Sequence, residues 1–318
     1  MIAAFLLAGA LATAAPAARP GEPVAEHVQQ NALIGEFAAL PNAARQPAVI
    51  VLGGFEGGVP NEAYALVRQG YAGFAVAYFG AGNLPKNVEE IPVETVSRAI
   101  DYLRARPEVD PNRIGLVGVS KGAELALIAA SRDPRIKSVA VLSPSAYVWF
   151  SPAFGGGGAA GRSSWYAGGG PLTFIAPDRT ATAALDRAVQ TGGTYAFRDL
   201  YDASLAAASP TAVAIATIPV ERITAPILCI AGDDDRQWDS AGSCKTIAAR
   251  RQAAHAEARD IVAIEPSAGH IVTLGGRGSP EFIPAGRVKL RMGGTPEGNM
   301  RAAADAWNRV VTFFARTL

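Results

Sequence analysis

Ser120 lies in the pentapeptide Gly118-Val119-Ser120-Lys121-Gly122, behind the apolar run Arg113 to Val117 and ahead of the helix-forming run Ala123 to Ile128. A strand that ends in G-x-S-x-G and opens a helix is the sequence form of a nucleophile elbow. The tight turn lifts the serine hydroxyl above the sheet, and the small flanking residues let the backbones approach closely. The helix start then offers free N–H groups and a positive dipole end to negative charge developing on a substrate.

A serine nucleophile needs a base and a group to orient that base. The chain has only three histidines. His27 lies near the N-terminus and His255 in the expected helical stretch Thr246 to Ala258, so both read as solvated surface residues. His270 follows the apolar run Ile261 to Ile264 in the loop Ala268-Gly269-His270 and is the expected base. Between serine and histidine, the run Pro226 to Ala231 closes on Gly232-Asp233-Asp234-Asp235. The orienting acid must leave a strand end and turn back toward the imidazole, which favours Asp235, with Asp234 as the alternative. Asp233 is expected to cap local N–H groups in the turn. A bare run of aspartates lacks the spaced oxygens of a calcium loop, so neither a metal nor a cofactor is expected.

Gly53-Gly54-Phe55-Glu56-Gly57-Gly58 directly follows the strand Ala48 to Leu52. It lacks the spacing of a dinucleotide fingerprint and suits the second half of an oxyanion hole. The expected donors are the backbone N–H groups of Phe55 and Lys121. The Lys121 side chain is expected in solvent.

The elements that must hold these residues alternate. Ile34 to Leu40, Ala48 to Leu52, Gly73 to Tyr78, Ser138 to Leu142 and the runs before Ser120, Asp233 and Ala268 read as strands. Glu62 to Arg68, Pro92 to Arg106 and Ala302 to Ala315 read as helices, the second with Val93, Val96, Ala99, Ile100 and Leu103 on one face. The pattern predicts an α/β fold with a mostly parallel central sheet flanked by helices. From about 143 to 224 the alternation fails, and glycine runs interleave with aromatics including Trp149 and Trp165. This stretch is expected to be an irregular cap insertion. Trp149, Trp165 and, beyond the insertion, Trp238 are candidate substrate-binding side chains.

At 318 residues, 49% hydrophobic and a formal charge of +1, the chain suits one large core and carries no basic stripe for nucleic acid. Ile2 to Ala12 is apolar and followed by small residues, so residues 1–17 are expected to be a cleaved signal peptide ahead of a single domain over 28–318. The segment is too short to span a bilayer, and no stable membrane span is expected in the mature protein. Its destination would be periplasmic or secreted. In such a compartment Cys229 and Cys244, the chain's two cysteines, would be able to form a disulfide.

The sequence resembles the catalytic C-terminal domain shared by acyl-CoA thioesterases and bile acid-CoA:amino acid N-acyltransferases, within the α/β-hydrolase fold. The resemblance rests on Gly53 to Gly58, Ala77-Tyr78-Phe79-Gly80, Glu90 to Glu94, Gly118 to Leu127, Ile218 to Ile223, Gly232 to Asp235 with Trp238 and Ser240, and Ala268-Gly269-His270. It implies Ser120, Asp235 and His270 as a catalytic triad, and a small acyl ester or thioester as substrate. Members that conjugate amino acids use cysteine as nucleophile, so Ser120 implies the hydrolytic branch. The alternatives are an exported carboxylesterase or peptidase of the same fold, or a non-catalytic ligand-binding member. Oligomeric state is not legible in the sequence.

Overall fold

The structure, a computed structural model, describes residues 23–41, 45–55, 62–151, 161–270, 280–285 and 287–318. The expected signal segment, the glycines at 57–58 and those at 155–158 lie outside the described residues.

Among the described residues, eight strands form one sheet: β1 (Val24–Gln30), β2 (Leu33–Ala39), β3 (Gln46–Leu52), β4 (Ala72–Ala77), β5 (Val109–Val119), β6 (Ile136–Leu142), β7 (Ile227–Gly232) and β8 (Ile261–Glu265). Their order is β1-β2-β4-β3-β5-β6-β7-β8. β2 runs antiparallel to both of its neighbours, β1 and β4, and every pair from β4 onward is parallel. The central strands are buried along nearly their whole length, as strands covered on both faces must be. β1 is the strand that the sequence did not announce. It is exposed at every residue but Val28 and carries no apolar run.

Helices α1 (Glu62–Val67) and α8 (Pro296–Thr317) cover one face, while α2 (Glu94–Arg104), α3 (Lys121–Ala130) and α7 (Ser240–Ala253) cover the other. α2 buries the apolar stripe expected of it, Val96, Ala99, Ile100 and Leu103. It stops short of Arg106 because Pro107 disfavours helical backbone in the residue before it. α8 begins with Thr295 as cap, its hydroxyl accepting from Gly298 N–H at 3.1 Å, and Pro296 in the first turn. α7 ends at Ala253, so His255 stands past the helix, exposed, at φ 52°. Among the described residues no helix is long and apolar enough to cross a membrane.

Residues 143–224 break the strand–helix alternation as expected, but the insertion is not irregular. It carries α4 (Arg179–Thr191), α5 (Phe197–Ala207) and α6 (Pro210–Ala216). Asp178 and Ser209 cap α4 and α6 through their side chains. These helices bury few residues each, and Phe197 and Tyr201 of α5 join Trp149, Phe150, Tyr195 and Trp238 in a separate aromatic cluster. The sparse apolar face hides the helical period from a sequence reading. The chain returns to the sheet through a buried guanidinium: Arg251 donates to the carbonyls of Val220, Ile223 and Ala225 at 2.7–3.0 Å and pairs with Asp260. A charge so deeply buried is tolerated because its donors are matched.

Cys229 on β7 and Cys244 on α7 form a disulfide, their Cα atoms 5.8 Å apart. The closed ring of 15 residues' separation contains Asp235, Trp238 and Ser240. Reducing it, or replacing Cys244 by serine, is expected to cost about 3 kcal/mol of stability, the chain-entropy value for a loop of this length. Urea unfolding with and without reductant measures it. Two alkylatable thiols in the unreduced, denatured protein would rule the bridge out.

Candidate active site

Ser120 joins β5 to α3 at φ 56° and ψ −121°, a backbone strained for any residue with a Cβ. The turn closes because Gly118 and Gly122 have no side chains. A Cβ on Gly118 would lie 2.3 Å from Gly122 O, and one on Gly122 would lie 2.3 Å from Gly53 O. Ser120 N–H donates to Leu142 O at 2.9 Å, pinning the elbow to β6.

Loops at the ends of β7 and β8 bring two more side chains to it. His270 Nε2 is 2.8 Å from Ser120 Oγ, and His270 Nδ1 is 2.8 Å from Asp235 Oδ2. All three residues are buried. The Asp235 carboxylate also accepts from Gln237 N–H at 2.8 Å and Trp238 N–H at 3.3 Å on Oδ1, and from the Ser240 hydroxyl at 2.6 Å on Oδ2. A carboxylate so surrounded by donors acts as acceptor only, which puts the imidazole proton on Nδ1 and leaves Nε2 to accept from Ser120. The array can therefore draw a proton from a serine hydroxyl as it attacks a carbonyl.

Asp234 turns the other way, its carboxylate accepting from Gly294 N–H at 3.0 Å and pairing with Arg236 at 2.5 Å. The local capping expected of Asp233 falls instead to Asp235 Oδ1, which holds Gln237 and Trp238 N–H, while Asp233 is exposed. Position along the turn decides this, because only the third aspartate faces inward.

Several supporting groups were not among the expected site residues. A hairpin of β9 (Phe282–Ala285) and β10 (Val288–Arg291) follows the histidine and ends at Met292, whose carbonyl accepts from His270 N–H at 3.0 Å. Buried Asn299 on α8 accepts from Gly269 N–H at 2.7 Å and donates to Gly293 O at 3.1 Å, fixing the histidine loop. Arg198 on α5 donates to Asp235 O at 3.1 Å and pairs with Asp202 and Asp239, tying the insertion to the acid loop. Ser240 is part of the family resemblance without an expected role; its place five residues beyond Asp235, at the start of α7, is the available signal.

The three tryptophans divide. Trp238 packs edge-to-face on His270 with ring centroids 5.7 Å apart, and its indole N–H donates to Ser143 O at 2.9 Å. Trp149 and Trp165 are buried and both meet Glu124. Trp165 Nε1 donates to Glu124 Oε1 at 2.7 Å, and Trp149 N–H donates to the same oxygen at 2.9 Å. The other oxygen of Glu124 receives the Lys121 ammonium at 2.6 Å. The Lys121 side chain is therefore wholly buried, not solvated. Burial pushes the Glu124 carboxyl up and the Lys121 ammonium down, and their contact opposes both shifts.

Of the expected oxyanion donors, the Lys121 amide opens α3 beside Ser120, and Phe55 follows β3, half-buried against the core. Among the described residues no cluster of three His, Cys, Asp or Glu side chains could hold a metal.

Residues 91–318 match the family model described as "BAAT / Acyl-CoA thioester hydrolase C terminal". The chain is 31% identical over 287 residues to acyl-coenzyme A thioesterase 1 of Mus musculus, covering 87% of this chain and 61% of that protein. It is 28% identical over 303 residues to the mitochondrial acyl-coenzyme A thioesterase 2 of Homo sapiens, covering 92% and 57%. The chain thus spans about three-fifths of the length of the curated relatives it matches. Among solved structures, it resembles a dienelactone hydrolase-like promiscuous phosphotriesterase from metagenomic libraries at TM-score 0.54 and 16% identity, over 93% of this chain and 99% of that one. It also resembles the acylaminoacyl peptidase of Pyrococcus horikoshii at TM-score 0.55 and 16% identity, over 94% and 42%. The sheet order and these likenesses make the fold that of an α/β-hydrolase.

Proposed function

This chain belongs to the BAAT / acyl-CoA thioester hydrolase C-terminal family, and we propose that it is a serine hydrolase cleaving acyl thioesters or carboxylic esters through an acyl-enzyme. The observation that carries the reading is the hydrogen-bonded line from Ser120 through His270 to Asp235.

In this mechanism Ser120 Oγ attacks the acyl carbonyl while its proton passes to His270 Nε2. Asp235 stabilises the imidazolium through Nδ1–H and keeps its own proton count unchanged. The tetrahedral oxyanion is received by the amides of Phe55 and Lys121, donors whose loss is typically worth about 3–4 kcal/mol each. Collapse breaks the bond to the leaving thiol or alcohol, which takes the proton from Nε2. Water then attacks the acyl-serine with His270 as base, releasing the acid and regenerating Ser120.

An exported site of action is part of the proposal. The apolar segment Ile2 to Ala12 and the Cys229–Cys244 disulfide support it, since such bridges persist in oxidising compartments. These two features also favour a second reading, an exported carboxylesterase that keeps the family's fold with a different leaving group.

Hydrolysis of an acyl-length series of p-nitrophenyl esters beside matched acyl-CoAs separates the two. Faster turnover of the CoA series is the result expected for a thioesterase. Turnover of esters alone would support the carboxylesterase, and turnover of neither would overturn both.

A further inference from the structure

The Lys121–Glu124 pair lies directly under the elbow and is spent on no step of the mechanism above. Both side chains are fully buried. A buried ion pair is seldom the best way to stabilise a fold, because well-packed apolar groups of the same volume do as well or better. What a carboxylate supplies instead is several directed acceptor positions. Glu124 uses one oxygen for Lys121 Nζ at 2.6 Å and the other for Trp165 Nε1 at 2.7 Å and Trp149 N–H at 2.9 Å.

These contacts lead to both sides of the elbow. Lys121 carries the amide on one side. Trp165, held by Glu124 and lying 5.4 Å from Lys121 Nζ, packs on Tyr78 with ring centroids 5.8 Å apart. The Tyr78 hydroxyl reaches Gly53 O at 2.7 Å and Gly54 O at 3.2 Å, the two residues before Phe55. The glycine loop is also held close to the elbow, because Gly122 is in backbone contact with Leu52 and Gly53.

We propose that Glu124 is a positioning residue for the oxyanion hole, its carboxylate holding the Lys121 half directly and the Phe55 half through Trp165 and Tyr78. The inference rests on the serine-hydrolase reading. It adds a residue that touches no substrate atom yet sets the distance between the two donors. That distance governs how well an oxyanion is held, and misplacement by about 1 Å can cost about 100-fold in rate.

The test uses the full chain, p-nitrophenyl butyrate as substrate and an alkyl trifluoromethyl ketone as probe. The ketone adds to Ser120 Oγ and places its oxyanion in the hole, so its Ki reports the hole, whereas KM reports ground-state binding. Glu124→Gln is expected to lower kcat about 10- to 100-fold and to weaken the ketone by the same factor, with KM within about twofold. Because that variant leaves a buried ammonium without its counter-charge, Tyr78→Phe is the second and milder probe. It removes the hydroxyl that reaches Gly53 and Gly54, and kcat and Ki should again move together, by about 3- to 10-fold.

Wild-type kcat and Ki in Tyr78→Phe and in any folded Glu124→Gln would overturn the inference. So would a kcat loss that tracks KM and the unfolding temperature while the ketone Ki stays fixed, which is what a merely structural role predicts. Absence of Ser120-dependent turnover in the wild-type protein would instead overturn the hydrolase reading and this inference with it.

Discussion

Ser120→Ala is expected to lower kcat by on the order of 10⁵- to 10⁶-fold, the scale found when a serine nucleophile is deleted from an intact array. The loss is large because His270 has no substitute proton donor to activate at 2.8 Å, and the acyl-enzyme cannot form. Binding should survive, since KM depends on contacts that do not involve Oγ. Stability should hardly change, because alanine and serine both carry a Cβ at φ 56° and bear the same backbone strain. The measurements are p-nitrophenyl ester turnover and labelling by a fluorophosphonate. Persistent labelling of Ser120→Ala would sink the assignment of the nucleophile.

Asp235→Asn should cost about 10³- to 10⁴-fold in kcat while the protein stays folded. The amide Oδ1 can still accept from Gln237 and Trp238 N–H, which keeps the turn in place. Its NH₂ group would meet Nδ1 and the Ser240 hydroxyl where an acceptor now sits, favouring the tautomer with the proton on Nε2. That imidazole cannot take the serine proton. Asp234→Asn, by contrast, should change kcat by less than about threefold, because the amide oxygen can still accept from Gly294 N–H and what is lost is a solvent-edge pairing with Arg236. Steady-state kinetics of the two variants side by side decide the matter. An inactive Asp234→Asn beside an active Asp235→Asn would shift the acid by one position.

The parts of this molecule that were legible in the sequence share a physical cause: they are local. The elbow is a turn whose glycines are demanded by contacts a few residues away, so G-x-S-x-G behind an apolar run is nearly a description of the structure. The buried parallel strands are continuous apolar runs, and α2 shows its stripe because one face alone is buried. His270 was identifiable by its place after a strand and the scarcity of histidine. The insertion was legible only as a boundary, because α4 and α6 bury little and depend on caps and on the aromatic cluster.

The amino-acid sequence determines the buried strands and the elbow, since each depends on neighbours along the chain. Tertiary structure alone decided the fate of the side chains whose partners are remote. A lysine after a nucleophile is expected in solvent, because burying an unpaired ammonium is costly. Here a carboxylate one helical turn away, itself held by groups 25 and 41 residues further on, makes the burial tolerable. The same contacts turn Trp149 and Trp165 inward, and the close of β10 on the acid and histidine loops leaves Asp235 facing the imidazole. Charge burial depends on which groups the fold brings within about 3 Å, and no local pattern records that.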